Sequence, residues 1–178
     1  HNRCRRQRQM CIRDRFKTQN IPCFESDAVA KTLLNSSLKS TVSKSFGNHI
    51  YDSSGMLNRK KLAARVFNNP KELVKLNTIV HPAVENAFED FKQKHKEDSI
   101  IIKEAAILFE SGGYKNCDAI ILVIAPEESR IQRVLKRDKI KKNDVEARIN
   151  LQWPDDKKKV LSDYLIQNEY LETALDQA

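Results

Sequence analysis

The sequence predicts an α/β protein in which a parallel sheet is covered by helices on both faces. Three observations carry that prediction: short Ile- and Val-rich runs recur, each is too short to be a helix, and long stretches of helical period separate them. The runs are residues 21–24, 100–102, 119–125 and 164–166. They predict four strands, with one further strand expected ahead of the first.

A helical subdomain over residues 35–95 is expected between the first two strands. Its best-marked helix start is Asn69-Pro70-Lys71-Glu72, where Asn69 can cap, Pro70 suits the first turn and Glu72 can reach back. Leu73, Leu76 and Val80 follow at helical spacing, and Val84, Ala87, Phe88 and Phe91 keep the period beyond His81-Pro82. After the third strand, Pro126-Glu127-Glu128 opens another helix with an acidic first turn that suits the helix dipole. Ile131, Val134 and Leu135 form its apolar face, while Arg130, Arg133 and Arg137 share one stripe. Asn143 to Glu146 reads as a capping box for the next helix, on which Arg148 and Gln152 stand one turn apart. Residues 130–159 hold eleven Lys and Arg against five Asp and Glu. A surplus of this kind between two strands suits a helical lid, residues 127–160, closing on polyphosphate, although a solvated helix face explains most such runs.

The chain has 178 residues, enough for one core domain with an inserted subdomain, and a formal net charge of +8. Six of the twelve arginines lie in residues 1–15, so most of the basicity is local, and the remainder does not read as a nucleic-acid-binding domain. That arm is open to two readings, an Arg-rich segment that folds on nucleic acid or a foreign or disordered stretch. The apolar run over 119–125 is far too short to cross a bilayer. The cysteines Cys4, Cys11, Cys23 and Cys117 form no CxxC pair and no His-paired ligand spacing, which favours reduced thiols in a cytoplasmic protein.

Asp27 follows a strand and precedes a helical stretch, at the carboxyl edge of the sheet where open α/β folds bind ligands. A carboxylate there can take a proton from a substrate hydroxyl, and it can equally cap the helix. Glu104, just past the second strand, fits an acidic position that orients Mg²⁺ or its water, or a plain solvated carboxylate. His81 is open to a structural or a functional role.

Six segments in order and register, Phe24 to Lys31, Asp52 to Arg59, Val66 to Pro70, Leu76 to Pro82, Glu104 to Gly112 and Gln132 to Asp138, resemble dephospho-coenzyme A kinase from about Phe16 to Asn168. The resemblance implies a three-layer αβα P-loop kinase-like fold, with residues 16–178 as its domain, 35–95 as the acceptor subdomain and 127–160 as the lid. It implies ATP-dependent phosphorylation of the ribose 3′-hydroxyl of dephospho-coenzyme A, the last step of coenzyme A synthesis. On that pattern Asp27 is the catalytic base, and Arg59, His81, Leu108, Phe109 and Glu110 line the acceptor pocket. Arg137 steadies the transferring phosphoryl with Arg133 and Arg148 as neighbours, and Asn168 meets adenine. Glu104 serves the Mg²⁺ that arrives with ATP. The partners implied are ATP and dephospho-coenzyme A, with no nucleic acid and no membrane, for a monomer or weak homo-oligomer.

The family also opens with a strand, a glycine-rich loop, Lys and Ser or Thr. The first glycine of this sequence is Gly47, and residues 1–15 contain no Gly, Lys, Ser or Thr. The expectation is therefore that first strand and P-loop are absent or replaced and that the chain as written is inactive, since phosphoryl transfer depends on positioning and charge neutralisation. The rival expectations are a nucleoside monophosphate kinase, a non-catalytic coenzyme A binder and an Arg-armed nucleic-acid binder.

Overall fold

Pro22 lacks an N–H, so it cannot donate to a sheet ladder, but its carbonyl accepts from the N–H of Ile102 at 2.8 Å and starts one. In the computed structural model, which describes residues 7–66, 69–138 and 140–178 (backbone only for 7–11 and 171), the elements follow in this order. They are α1 (Gln7–Thr18), β1 (Cys23–Glu25), α2 (Ser26–Asn35), α3 (Lys39–Phe46), α4 (Arg59–Val66), α5 (Pro70–Lys94), β2 (Ile102–Glu104), β3 (Ile121–Ile124), α6 (Glu127–Asp138), α7 (Lys142–Asn150), α8 (Asp155–Val160), β4 (Tyr164–Gln167) and α9 (Leu171–Asp176). Short 3₁₀ turns occupy Asn48–Ile50 and Gly113–Asn116. The chain divides into two units, Pro22–Ala105 and Ala106–Ala178, the second joined by the described residues before Pro22.

In the Pro22–Ala105 unit, β1 and β2 pair in parallel with Cys23 opposite Ile102, Phe24 opposite Lys103 and Glu25 opposite Glu104. The first two predicted strands thus begin about two residues later than their apolar runs, because pairing starts only past Pro22. Phe24 is buried and its ring meets Phe88 at 5.1 Å and Phe91 at 5.5 Å, both on α5. Lys103, with a side chain only 8 % exposed, donates to Glu85 at 2.7 Å and lies 4.3 Å over the Phe88 ring.

The predicted cap of α5 is present: the Asn69 side chain accepts from the N–H groups of Lys71 and Glu72. Glu72 does not reach back, because Arg65 takes its carboxylate at 3.1 Å. The helix runs through Pro82 for 25 residues. Pro82 removes one backbone donor, so tertiary packing along both halves has to offset that loss. The first half packs on a core of Val42, Phe46, Ile50, Leu62 and Val66 through Leu73, Leu76 and Ile79, and the second on Phe24.

Ahead of α4, the Asp52 carboxylate accepts from the Ser54 hydroxyl at 2.6 Å and the N–H groups of Ser54 and Met56, and these bonds hold its pKa below the usual carboxylate value. Gly55 completes that turn at φ 77°, and a Cβ there would sit 2.5 Å from the Lys39 ammonium.

In the Ala106–Ala178 unit, β3 and β4 pair in parallel from Ile121 opposite Tyr164 to Ile124 opposite Gln167. On β3, Ile121 and Val123 are exposed, so this pair of strands is not buried on both faces as its composition predicts. The Gln177 side chain attaches to β4 as a short strand would, accepting from the Gln167 N–H at 2.9 Å and donating to its carbonyl at 3.4 Å.

Two expectations are corrected here. For the foreign or disordered arm expected over residues 1–15, disorder gives way from Gln7 onward to α1, which crosses residue 15, while a foreign origin is untouched by this helix. Ile12 and Phe16 lie one turn apart, and the buried Ile12 packs with Ile166 and Ala174. Residues 1–6 lie outside the described residues. The capping box at Asn143 is also absent. Extended backbone at Lys141 takes the cap position without a side-chain bond, which leaves Asn143 inside the first turn, and Glu146 faces Lys142 at 3.7 Å.

Candidate functional site

In the Pro22–Ala105 unit, Asp27 is the second residue of α2, exposed and directly past the carboxyl end of β1. Glu25 holds the cap position, without a side-chain cap bond, so Asp27 is not the N-cap that the sequence left open. Glu25 and Glu104 stand opposite each other in register, which sets two carboxylates side by side at that strand end. Arg59 is the exposed first residue of α4 and His81 lies midway along α5, and these two helices pack together.

Burial holds the His81 imidazole below its ordinary value of 6.5. The unfolded chain therefore protonates His81 first. Stability from this residue is complete above pH 6.5 and is lost as the pH falls from there toward the folded value. Urea unfolding at about pH 7.5 and about pH 5.5 is expected to show a loss on acidification that shrinks in His81→Gln. An unchanged loss in that variant would assign the pH dependence to other groups.

In the Ala106–Ala178 unit, the turn after Ala105 carries Leu108, Phe109 and Glu110. Phe109 is buried, its ring 5.5 Å from Tyr114 and 6.4 Å from Trp153. Glu110 accepts from the Trp153 backbone N–H at 2.7 Å and pairs with Lys158 at 3.3 Å. The carbonyl of Leu108 accepts from Tyr114 at 3.3 Å.

The arginine stripe of α6 divides into different tasks. Arg130 pairs with Asp155 of α8 at 3.0 Å. Arg133 donates to the carbonyls of Asn168 at 2.8 Å and Glu169 at 3.0 Å. Arg137 meets Asp138 through Nε at 2.7 Å and a terminal nitrogen at 3.1 Å, with Arg148 of α7 3.6 Å from the same carboxylate. The Arg137 hydrogen bonds first, then the charges of both arginines, hold the Asp138 pKa below the usual carboxylate value. Asn168, 2 % exposed, follows β4 and donates its N–H to the Ile124 carbonyl at 2.7 Å.

The structure thus brings Arg137 together with Arg148, Arg133 with Asn168, and Glu104 with Glu25. Sequence reasoning missed Asp138, Lys158 and Trp153. For Asp138 the Arg-Asp dipeptide was a signal; for the other two there was none, since Trp153 lies 43 residues from Glu110.

Known proteins resemble this chain along most of its length. The family model "CoaE: Dephospho-CoA kinase" matches residues 9–173. The dephospho-CoA kinase of Fusobacterium nucleatum is 38 % identical over 146 residues, which cover 82 % of this chain and 75 % of that protein. The crystal structure of TT1252 from Thermus thermophilus superposes with a TM-score of 0.81 at 25 % identity, covering 95 % of this chain and 86 % of that one. The dephospho-CoA kinase from Campylobacter jejuni shares the fold at a TM-score of 0.63 and 22 % identity, over 93 % of this chain and 87 % of its own. The helices and parallel strands agree with the expected αβα P-loop kinase-like class, and the match runs nearly from end to end: this chain belongs to the dephospho-CoA kinase family, transferases of coenzyme A synthesis.

Proposed function

We propose that the reaction served by this chain is transfer of the γ-phosphoryl group of ATP to the ribose 3′-hydroxyl of dephospho-coenzyme A. The 3′-oxygen attacks phosphorus as the bond to the ADP oxygen breaks, and the hydroxyl proton passes to Asp27. The observation that carries this reading is the exposed carboxylate of Asp27 in the first turn of α2, at the strand end where α/β folds present ligands, within a chain matched to the family over residues 9–173.

Arg59, His81, Leu108 and Phe109 serve the acceptor. Residues 127–160 form the lid, on which Arg137 and Arg148 offset the charge of the moving phosphoryl group. Arg133 acts through the turn after β4, which holds Asn168 against adenine. Mg²⁺ bound with ATP would supply neutralisation of phosphate charge, with Glu104 as the residue nearest that task. Among the described residues no group of three or more His, Cys, Asp or Glu could hold a metal by itself. Glu104, paired in register with Glu25, suits an ion that keeps most of its ligands on phosphate and water. The enzyme so proposed is cytoplasmic and monomeric or weakly associating; no helix among the described residues is long and apolar enough to cross a membrane.

Calorimetric titration of this polypeptide with dephospho-coenzyme A is expected to give a Kd between about 1 μM and 1 mM. Arg59→Ala should weaken it about tenfold, and adenosine monophosphate should not displace the ligand. Absence of binding would overturn the reading, and displacement by the monophosphate would favour a nucleotide acceptor.

A further inference from the structure

Glu110 sits in a segment assigned above to the acceptor, yet its surroundings point elsewhere. Its side chain is 14 % exposed and that of Lys158 is 8 % exposed, so this ion pair is withdrawn from water. One carboxylate oxygen, Oε1, takes both the Lys158 ammonium and the Trp153 N–H, the latter at 2.7 Å. These partners straddle the start of α8, and the same stretch is also held by Arg130 of α6 through Asp155. Trp153 is fixed further, with Lys157 3.4 Å over its ring and Phe109 and Tyr114 beside it.

The other oxygen, Oε2, is buried with no hydrogen-bond partner among the described residues, so the carboxylate is tethered through Oε1 alone, and that tether fixes where the side chain sits. Removing either member of a buried pair leaves an uncompensated charge, whereas replacing both by apolar groups is tolerated. We propose that Glu110 is a positioning residue, which pins the start of α8 to the turn after Ala105 and so fixes the returning leg of the helical segment between β3 and β4. The ends of that segment are then a frame, held by Glu110–Lys158 and Arg130–Asp155, and the part left to move carries Arg137 and Arg148. The proposal deepens the lid reading given above and rests on it for its functional meaning.

Trp153 is the only tryptophan of the sequence, so intrinsic fluorescence reports on this point directly. In the full chain, Glu110→Gln and Lys158→Met are each expected to move Trp153 emission to the red and to speed amide exchange over residues 152–160 by at least roughly tenfold, with residues 39–94 within about twofold of the parent. The double variant should be no worse than either single one. If a single variant fails to fold, the apolar pair Glu110→Leu with Lys158→Met should still fold and still show the red shift, since Trp153 has lost its acceptor. Unchanged emission and exchange in these variants, or additive single effects, would overturn the latch.

Dephospho-coenzyme A affinity separates the latch from direct contact: equal weakening by Glu110→Gln and Lys158→Met supports it, and weakening by Glu110→Gln alone overturns it. A parent chain that binds no dephospho-coenzyme A would sink the functional reading, and the fluorescence and exchange results would still decide the latch.

Discussion

Replacing residues 1–15 with a strand, a Gly-x-x-x-x-Gly-Lys-Ser/Thr loop and the helix start that follows it is expected to raise ADP release with dephospho-coenzyme A and Mg-ATP to about 1–100 per second. Residues 1–178 assayed by themselves are expected to turn over at least roughly a thousandfold more slowly, because residues 1–15 hold no Gly, Lys, Ser or Thr from which a phosphate loop could be built. Arg137 and Arg148 offer charge but no cradle, and both meet Asp138. In the same chimera, Asp27→Asn should lower turnover by about 10²–10⁴, the usual worth of a positioned general base. A rate near one per second from the unmodified polypeptide would refute the first expectation, and an Asp27→Asn chimera as fast as its parent would refute the second.

Phe46→Ala is expected to destabilise the Pro22–Ala105 unit by about 3–5 kcal/mol, a large share of the roughly 5–15 kcal/mol that holds a domain folded. Phe46 is fully buried at the centre of the cluster with Val42, Ile50, Leu62 and Val66. Its ring also has cations over it, Arg65 at 5.7 Å and Lys75 at 5.4 Å, and these side chains donate to the carbonyls of Phe46 and Ser45. Truncation opens a cavity and removes the surface on which two aliphatic stems lie. Urea unfolding read on α3–α5 should show the loss; a shift below about 1 kcal/mol would mean that this cluster does not hold the unit together.

Where local chemistry decides structure, the sequence was readable. Asn69 caps α5, the acidic turn at Glu127 opens α6, and the periodic apolar residues of α5 continue through Pro82. The strand runs were also legible, because β-branched residues between helical stretches have few other uses. Where several local partners compete, reading failed. Glu72 could reach back or pair with Arg65, and only packing of α4 on α5 selects the second. Lys141 rather than Asn143 starts α7, a displacement within the usual uncertainty of helix ends. Arginine dominates residues 1–15 and masks the one-turn spacing of Ile12 and Phe16.

The candidate site divides in the same way. The common stripe of Arg130, Arg133 and Arg137 follows from helical period, but their separate employments depend on Asp155, on the Asn168 and Glu169 carbonyls and on Asp138. Two of those three lie in other elements. Glu110 shows the limit most plainly, since a motif position names a residue without telling which way its carboxylate is spent.

The bond between Gln177 and β4 bears on how this molecule behaves in company. An outer strand normally presents a row of amides to any passing chain, which is how sheets grow from one molecule into the next. At Gln167 both backbone groups are already occupied by a glutamine amide, whose donor and acceptor mimic a strand one residue long. A neighbour seeking to zip onto this border finds it stoppered there, and crowded solutions gain a measure of colloidal safety from ten residues of local chain.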